Sequence, residues 1–177
     1  MRIISGKHGG RKLKEFSGNA VRPTSDRAKE ALFNILGNIS DLSFLDLFSG
    51  TGSIGIEALS RGATPVTLVD CADDSVKLAK ENLKTIGESA TVVKSDAYAF
   101  LKRTDCSYDI IFLDPPYKEN AISALEIIVG NGLLKEGGLL VYEHSGEGIS
   151  APEGLKLKDS RRYGIATFDF FTLERND

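Results

Sequence analysis

From residue 43 onward, short apolar runs alternate with segments of helical pattern. The apolar runs lie at 44–48, 66–70, 91–94, 108–113 and 139–144, and the helical segments lie near 53–61, 73–86, 96–103 and 119–130. Alternation of this kind is typical of βαβ units, which build a parallel sheet with helices on both faces. The pattern therefore predicts an α/β fold.

The amino-terminal part departs from this alternation. Residues 2–5 and 11–14 resemble two short strands around a turn at 6–10, which predicts a small hairpin. After a linker at 15–23, Thr24 or Ser25 can cap a helix with apolar residues at i, i+3, i+4, i+7 and i+8. Gly37 is expected to end that helix.

The carboxyl-terminal part also changes character. Residues 155–158 and 165–173 alternate in the manner of strands, and 161–164 are expected to form the turn between them. We expect this hairpin to close an otherwise parallel sheet.

Composition indicates one domain and an uneven charge. A chain of 177 residues with 41% hydrophobic and 27% charged residues is ordinary for a globular protein. Residues 1–29 carry eight Lys and Arg against two acids, a net charge of +6, while the remainder carries −9. A basic arm on an acidic body suggests phosphate contacts with a nucleic acid, the alternative being a solvated charged surface.

Other sequence features bound the cellular setting. No apolar stretch is long enough for a transmembrane helix, and the amino terminus lacks the apolar region of a signal peptide. Cys71 and Cys106 are isolated, too few for a zinc site, and are expected to be unpaired thiols. These features predict a cytoplasmic protein without a metal ion.

A glycine loop follows the first apolar run. Gly50, Gly52 and Gly55 form Gly-x-Gly-x-x-Gly at the start of a helix, and Asp70 ends the next strand twenty residues after Gly50. That arrangement suits NAD as well as S-adenosylmethionine. Asp46, four residues before the first glycine, suits a cationic ligand better than a pyrophosphate, which favours S-adenosylmethionine.

The cofactor site predicted from this loop and from the later strand ends uses backbone groups and carboxylates. Asp96, after the third strand, offers an acceptor where an adenine amine would lie. The predicted cofactor-binding residues are Asp46, Phe48, Gly50, Thr51, Gly52, Asp70, Cys71, Asp96, Ala97 and Asp114.

The fourth apolar run ends at Asp114-Pro115-Pro116-Tyr117. The prolines fix their own φ and hold the preceding residues extended, so the turn is rigid. It presents the Asp114 carboxylate, the Pro115 carbonyl and an aromatic ring, which together suit a planar group bearing an NH2. The tetrapeptide resembles the signature of S-adenosylmethionine-dependent methyltransferases that modify exocyclic amines of bases.

Longer segments resemble one particular family, the bacterial small-subunit rRNA guanine-N2 methyltransferases. The resemblance covers nearly the whole chain. It rests on residues 10–13, 22–33, 45–62 and 114–117, of which 22–33 is the most discriminating. One departure is Asp70, where Glu is expected more often in the family.

The resemblance implies a Rossmann-like class I methyltransferase fold with a mostly parallel seven-stranded sheet and an antiparallel strand near the carboxyl terminus. It divides the chain into a basic arm at 1–23 and a methyltransferase domain at 24–177. The implied substrate is a guanine of 16S rRNA, on the free RNA or on a small ribosomal subunit or assembly intermediate. We expect a monomer that binds no membrane.

These expectations assign roles to individual residues. Asp114, Pro115, Pro116 and Tyr117 are the predicted catalytic residues, with Tyr117 stacking on the target base. The predicted RNA contacts are Lys7, Arg11, Lys12, Lys14, Arg22 and Arg27. The alternatives are an adenine-N6 methyltransferase, an NAD-dependent oxidoreductase and an RNA-binding protein without activity.

Overall fold

The computed structural model describes residues 1–16, 24–116, 121–146 and 148–174. Its five helices within these ranges are α1 Asp26–Leu36, α2 Ser53–Ser60, α3 Asp73–Ile86, α4 Ala97–Arg103 and α5 Ala121–Gly130. The strands are β1 Phe44–Leu47, β2 Val66–Asp70, β3 Thr91–Lys94, β4 Tyr108–Leu113, β5 Leu134–His144, β6 Leu155–Tyr163 and β7 Ala166–Leu173.

The strands form one sheet in the order β3-β2-β1-β4-β5-β7-β6. Strands β1 to β5 pair in parallel, whereas β7 is antiparallel to both of its neighbours. The predicted mixed sheet with a reversed strand near the carboxyl terminus is confirmed. The strand order changes direction between β1 and β4, and ligands of α/β sheets bind at the carboxyl ends of the strands beside such a point.

Both faces of the sheet are buried because successive strand residues point to opposite sides. On β4, Ile110 and Phe112 pack into one apolar cluster, which includes Leu32 of α1. Ile111 and Leu113 pack into a second cluster, on the side of α4 and α5. Burial on both faces explains why the strands appear in the sequence as continuous apolar runs.

Two predicted boundaries can be compared directly with the structure. Helix α1 begins after Ser25, whose side chain accepts a hydrogen bond from the Ala28 N–H, and it ends at Gly37 with φ of 70°. The predicted turn at 161–164 is wrong, because β6 continues through Tyr163, which pairs with Ala166. The chain reverses at Gly164, whose φ of 66° permits a tighter turn than the sequence suggested.

The amino-terminal hairpin forms, but with one bridge, between Arg2 and Lys12, instead of two regular strands. Ile3 is fully buried in the same cluster as the α1 side chains. The backbone of the hairpin is hydrogen-bonded to α2. The Ile4 and Ser5 N–H groups donate to the Glu57 carboxylate at 2.7 and 3.0 Å. The hairpin is therefore packed onto α2 and shares its core.

A buried ion pair fastens this contact. The Lys29 ammonium of α1 lies 3.8 Å from the Glu57 carboxylate, and both side chains are fully buried. Lys29 also donates to the Arg2 carbonyl at 2.6 Å and to the Ser53 hydroxyl at 3.0 Å. Burial lowers the pKa of Lys29, and Glu57 opposes that shift.

Within the described part of the chain, no helix is long and apolar enough to cross a membrane.

Candidate cofactor and substrate site

Each of the five parallel strands carries an acid within two residues of its carboxyl end. In the spatial order of the strands, these acids are Asp96, Asp70, Asp46, Asp114 and Glu143. Parallel strands end at one edge of the sheet, so the acids form a row along that edge. The row crosses from the predicted cofactor residues on β1 to β3 to the predicted catalytic residues after β4.

The glycine loop is held by Asp70. One carboxylate oxygen of Asp70 accepts the Gly50 N–H at 2.8 Å, and the other accepts the Ala72 N–H at 2.9 Å. Gly50 and Gly52 have φ of 52° and 77°, a region in which an L side chain would be strained. Each oxygen of Asp70 retains a second lone pair that can accept a ribose hydroxyl. The shorter acid at this position is thus engaged in shaping the loop itself.

Gly55 explains the third glycine of the motif. Its N–H donates to the Asp46 carboxylate at 2.8 Å, and a Cβ built on it would overlap the Leu68 side chain. Helix α2 therefore approaches β1 and β2 more closely than any larger residue would allow. Asp46 is almost fully buried, and this burial raises its pKa to about 8. A cationic ligand would favour its ionised form.

Phe48 and Thr51 belong to the loop between β1 and α2. Phe48 has φ of 60°, which is uncommon for an aromatic residue, and its ring lies edge-on to Tyr98 with centroids 6.3 Å apart. Thr51 is buried, and its carbonyl accepts a hydrogen bond from the Asn82 amide at 3.1 Å. No sequence pattern indicated the strained backbone at Phe48.

The remaining predicted cofactor residues lie at the ends of β2 and β3. Asp96 caps helix α4 by accepting the Ala99 N–H at 2.8 Å, and Ala97 is buried behind it. Cys71 is exposed beside Asp70. The donor set on β1 to β3 fits S-adenosylmethionine: Asp70 suits the ribose hydroxyls, Asp96 the adenine amine, and Asp46 the cationic methionine part.

The start of the Asp-Pro-Pro-Tyr motif lies at the same edge, next to Asp46. Asp114 directly follows β4 and has no hydrogen-bond partner among the described residues. Solvent still reaches its side chain, but the surrounding protein removes enough water to raise its pKa to about 6. Pro115 and Pro116 continue the chain from there, whereas Tyr117 lies outside the described residues.

Glu143 is a member of the row that the sequence did not suggest. It lies near the end of β5, is nine-tenths buried, and accepts a hydrogen bond from the Thr24 hydroxyl at 2.8 Å. Burial raises its pKa to about 8, and the negative charges of Asp114 and Asp46 add to the shift. An acid within the apolar run 139–144 was the available signal, because an unpaired acid is rare in a buried strand.

The predicted RNA contacts on the hairpin are mostly engaged with the protein. The Lys7 ammonium lies 2.7 Å from Glu88, and the Lys14 ammonium lies 2.9 Å from Glu81. Arg11 donates to the Ile86 carbonyl at 3.1 Å. These partners all belong to α3 or its end, so part of the basic charge of the hairpin is balanced locally.

The other predicted RNA contacts differ in their settings. Lys12 and Arg27 are exposed, and Arg22 lies outside the described residues.

Within the residues described, no group of three or more His, Cys, Asp or Glu side chains is placed to hold a metal ion.

Comparisons with known proteins agree with this geometry. The family described as Conserved hypothetical protein 95 matches residues 1–172. The chain is 42% identical over 176 residues to the putative rRNA methyltransferase YlbH of Bacillus subtilis, covering 93% of this chain and 95% of that protein. It is 35% identical over 179 residues to the ribosomal RNA small subunit methyltransferase D of Haemophilus influenzae, covering 97% and 93%.

Solved structures show the same relationship. The putative methyltransferase yhhF from Escherichia coli has a TM-score of 0.87 and 31% identity, covering 98% of both chains. A putative methyltransferase solved in complex with SAH shares the fold, with a TM-score of 0.65 and 19% identity, covering 83% of this chain and 48% of that one.

The fold defines a methyltransferase of class I, and the row of acids fits S-adenosylmethionine as the methyl donor. The chain belongs to the family described as Conserved hypothetical protein 95, and its relatives include proteins named as rRNA methyltransferases. The predicted cofactor is confirmed at the level of this class, and the alternative of an NAD-dependent oxidoreductase is not supported.

Proposed function

We propose that this protein methylates the exocyclic N2 amine of a guanine in 16S rRNA. The observation that carries the proposal is Asp114, a carboxylate that has no hydrogen-bond partner among the described residues and lies beside the cofactor residue Asp46 at the edge of the sheet. The Haemophilus influenzae relative is named for the small-subunit RNA. The resemblance of residues 22–33 to the guanine-N2 family favours guanine over adenine.

The chemistry required of the protein is mainly orientation. The lone pair of a guanine amine is delocalised into the ring, so the amine is a poor nucleophile. Asp114 and the Pro115 carbonyl each accept one N–H and turn the remaining lone pair toward the methyl group. The cofactor supplies an electrophilic methyl on a sulfonium. Held acceptors of this kind lower the barrier by proximity and by stabilising developing positive charge.

The transfer is a direct displacement. The nitrogen lone pair forms the new N–C bond while the C–S bond breaks, and its electron pair stays on the sulfur. The methylated amine is then cationic and loses one N–H proton to Asp114 or to solvent. Asp114 does not need to be a strong base, because the alkylated amine is acidic. Pro116 keeps the turn rigid, and Tyr117 stacks on the base, a contact of about 1–3 kcal/mol.

The basic hairpin, together with Arg22 and Arg27, forms the proposed RNA contact. Lys7, Arg11 and Lys14 can exchange their protein partners for phosphates, whereas Lys12 and Arg27 are already exposed. Arg22 joins this set on the basis of the sequence. RNA affinity should fall less steeply with salt for Arg11→Ala than for the wild type, by about one phosphate in the slope. Equal slopes would remove Arg11 from the contact.

The decisive experiment is transfer of labelled methyl from S-adenosylmethionine to small ribosomal subunits that lack the modification, followed by digestion to nucleosides. Label in N2-methylguanosine is the expected result. Label in N6-methyladenosine would preserve the transfer chemistry but contradict the guanine assignment. Asp114→Asn is the matched control, since it preserves the shape of the site and removes the charged acceptor.

A free 16S transcript and an early assembly intermediate should be tested in parallel with the complete subunit. The three substrates distinguish naked RNA from a shape that forms only during assembly. We expect the enzyme to act as a monomer in the cytoplasm, so activity per mole should not change with enzyme concentration.

A further inference from the structure

Glu143 lies where it can meet the same base as Asp114. The parallel register pairs Phe112 with Val141 and Leu113 with Tyr142. Continuing that register by one residue places Asp114 and Glu143 side by side, on strands about 4.8 Å apart. Both follow Phe112 and Val141 by two residues, so their side chains leave the sheet on the same face.

Only one of the two carboxyl oxygens of Glu143 accepts a hydrogen bond from a described residue. Thr24 donates to Oε2, and Oε1 has no hydrogen-bond partner among the described residues. Among the described residues, every fully buried side-chain nitrogen or oxygen has a partner, so Oε1 is not fully buried and solvent touches it. A nine-tenths buried carboxyl with one open acceptor is costly unless a ligand supplies a donor.

Guanine carries such a donor next to the amine that is methylated. Its N1–H and N2 amine are adjacent on the Watson–Crick edge. On the basis of the function proposed above, we propose that Glu143 selects guanine by accepting the N1–H at Oε1 while Asp114 and the Pro115 carbonyl hold the N2 amine. Glu143 lies on the side of β4 away from the glycine loop, so it acts on the base and not on the cofactor.

Adenine would be rejected by the same contact. Its N1 is an acceptor, so it could be met only by the protonated form of Glu143, which the positive cofactor disfavours. Burial and the neighbouring acids favour the protonated form of Glu143 in the empty site, since its pKa is raised to about 8. The N1–H donor and the positive cofactor both favour the carboxylate when the site is filled.

The test compares guanine with 2-aminopurine at the methylated position of otherwise identical RNA in small subunits. 2-Aminopurine retains the amine but has an acceptor at N1. Sites that hydrogen-bond a substrate N–H reject analogues without it by large factors, so the wild type should prefer guanine by at least about 100-fold in kcat/KM. Glu143→Gln should reduce that preference at least tenfold, because its amide can donate to N1 of 2-aminopurine.

Thr24→Val is the matched control. It removes the one hydrogen bond that Glu143 accepts from a described side chain but leaves the carboxylate in place. If Glu143 selects the base, Thr24→Val retains most of the preference for guanine, and both variants bind S-adenosylmethionine like the wild type. If the pair is merely structural, the two variants lose activity equally on both substrates and keep the wild-type preference.

Each outcome is decisive. A Glu143→Gln variant that retains the full preference for guanine overturns the assignment of Glu143, while N2-methylguanosine as product leaves the proposed function intact. A product other than N2-methylguanosine from the wild type overturns the proposed function and the assignment together. A collapsed preference with unchanged cofactor affinity supports both.

Discussion

The two halves of the sheet edge treat their carboxylates differently. On the cofactor half, Asp46, Asp70 and Asp96 each accept at least one backbone N–H from the loop or helix that follows. On the substrate half, Asp114 has no partner among the described residues and Glu143 has a single one, the Thr24 hydroxyl. The carboxylates of the cofactor half are held by the protein itself, whereas those of the substrate half receive further hydrogen bonds only from a bound ligand.

The difference follows from what each half must bind. A carboxylate that is fixed by backbone groups is a rigid acceptor, and it binds a ligand without further ordering. An acceptor without a protein donor obtains its hydrogen bond only from the bound base. A base that lacks the matching N–H leaves this acceptor unpaired, so the site discriminates strongly against it. Four experiments test whether the two halves of the edge act independently.

Asp114→Asn should give the largest effect. The amide replaces a charged acceptor with a group that also donates, so we expect turnover to fall about 10³-fold. The affinity of Asp114→Asn for S-adenosylmethionine, measured by calorimetry, should differ from that of the wild type by less than about threefold. A large loss of cofactor affinity in a folded variant would contradict the division of the edge into two halves.

Asp70→Ala should give the opposite pattern. Removing a carboxylate that holds the glycine loop and accepts ribose hydroxyls should weaken cofactor binding by about 10- to 100-fold, the range of charged hydrogen bonds. Turnover at saturating cofactor should remain close to the wild-type value, because Asp70 lies two strands away from Asp114. If saturating turnover fell as far as binding, the two halves would not be independent.

Gly55→Ala tests the rigidity of the cofactor half. The added methyl would overlap Leu68, and overpacking of this kind costs about 1–3 kcal/mol in the free energy of unfolding. Gly130→Ala, at the end of α5, is the matched control because its Cβ would meet nothing within 4 Å. Denaturant unfolding should show a clear loss only for Gly55→Ala. Equal stability of the two variants would mean that α2 can shift away from the sheet.

The contribution of Glu143 to the pH dependence of stability, taken over one pH unit, should be the smallest of these effects. Folded Asp46 and Glu143 have pKa values raised to about 8, so between about pH 4 and 8 the folded state holds protons that the unfolded state has lost. Stability of the cofactor-free protein should therefore fall as pH rises through this window. Glu143→Gln should reduce the fall between pH 6 and 7 by about 1 kcal/mol. An unchanged slope would mean that Glu143 is ionised in the empty site.

The cofactor half was largely predictable because its signals are local. Gly50, Gly52 and Gly55 lie within six residues of one another, and Asp70 comes at the end of the next strand. Alternation of apolar runs and helical segments fixed the order of the elements along the chain. Boundaries were misplaced near Gly164, where a single glycine makes a tight turn, and at the start of β5, which begins at Leu134 and not at 139.

The substrate half was predictable only where a motif marked it. Asp114 and the prolines stand out in any sequence, whereas Glu143 is one acid in an apolar run, and its partner Thr24 lies 119 residues away. The hairpin shows the same limitation. Its charges suggested a free basic arm, but Glu57 and Lys29 bind its backbone through contacts that no local pattern announces.

Local patterns were sufficient to predict the α/β class, four of the five strand ends that bear acids and the rigid turn after β4, because periodicity, glycines and prolines act over a few residues. The tertiary structure alone decided which acids face one another, which remain without partners and how far burial raises their pKa values. Those properties depend on strand order and on the exclusion of water by distant elements, which are summed over the whole fold.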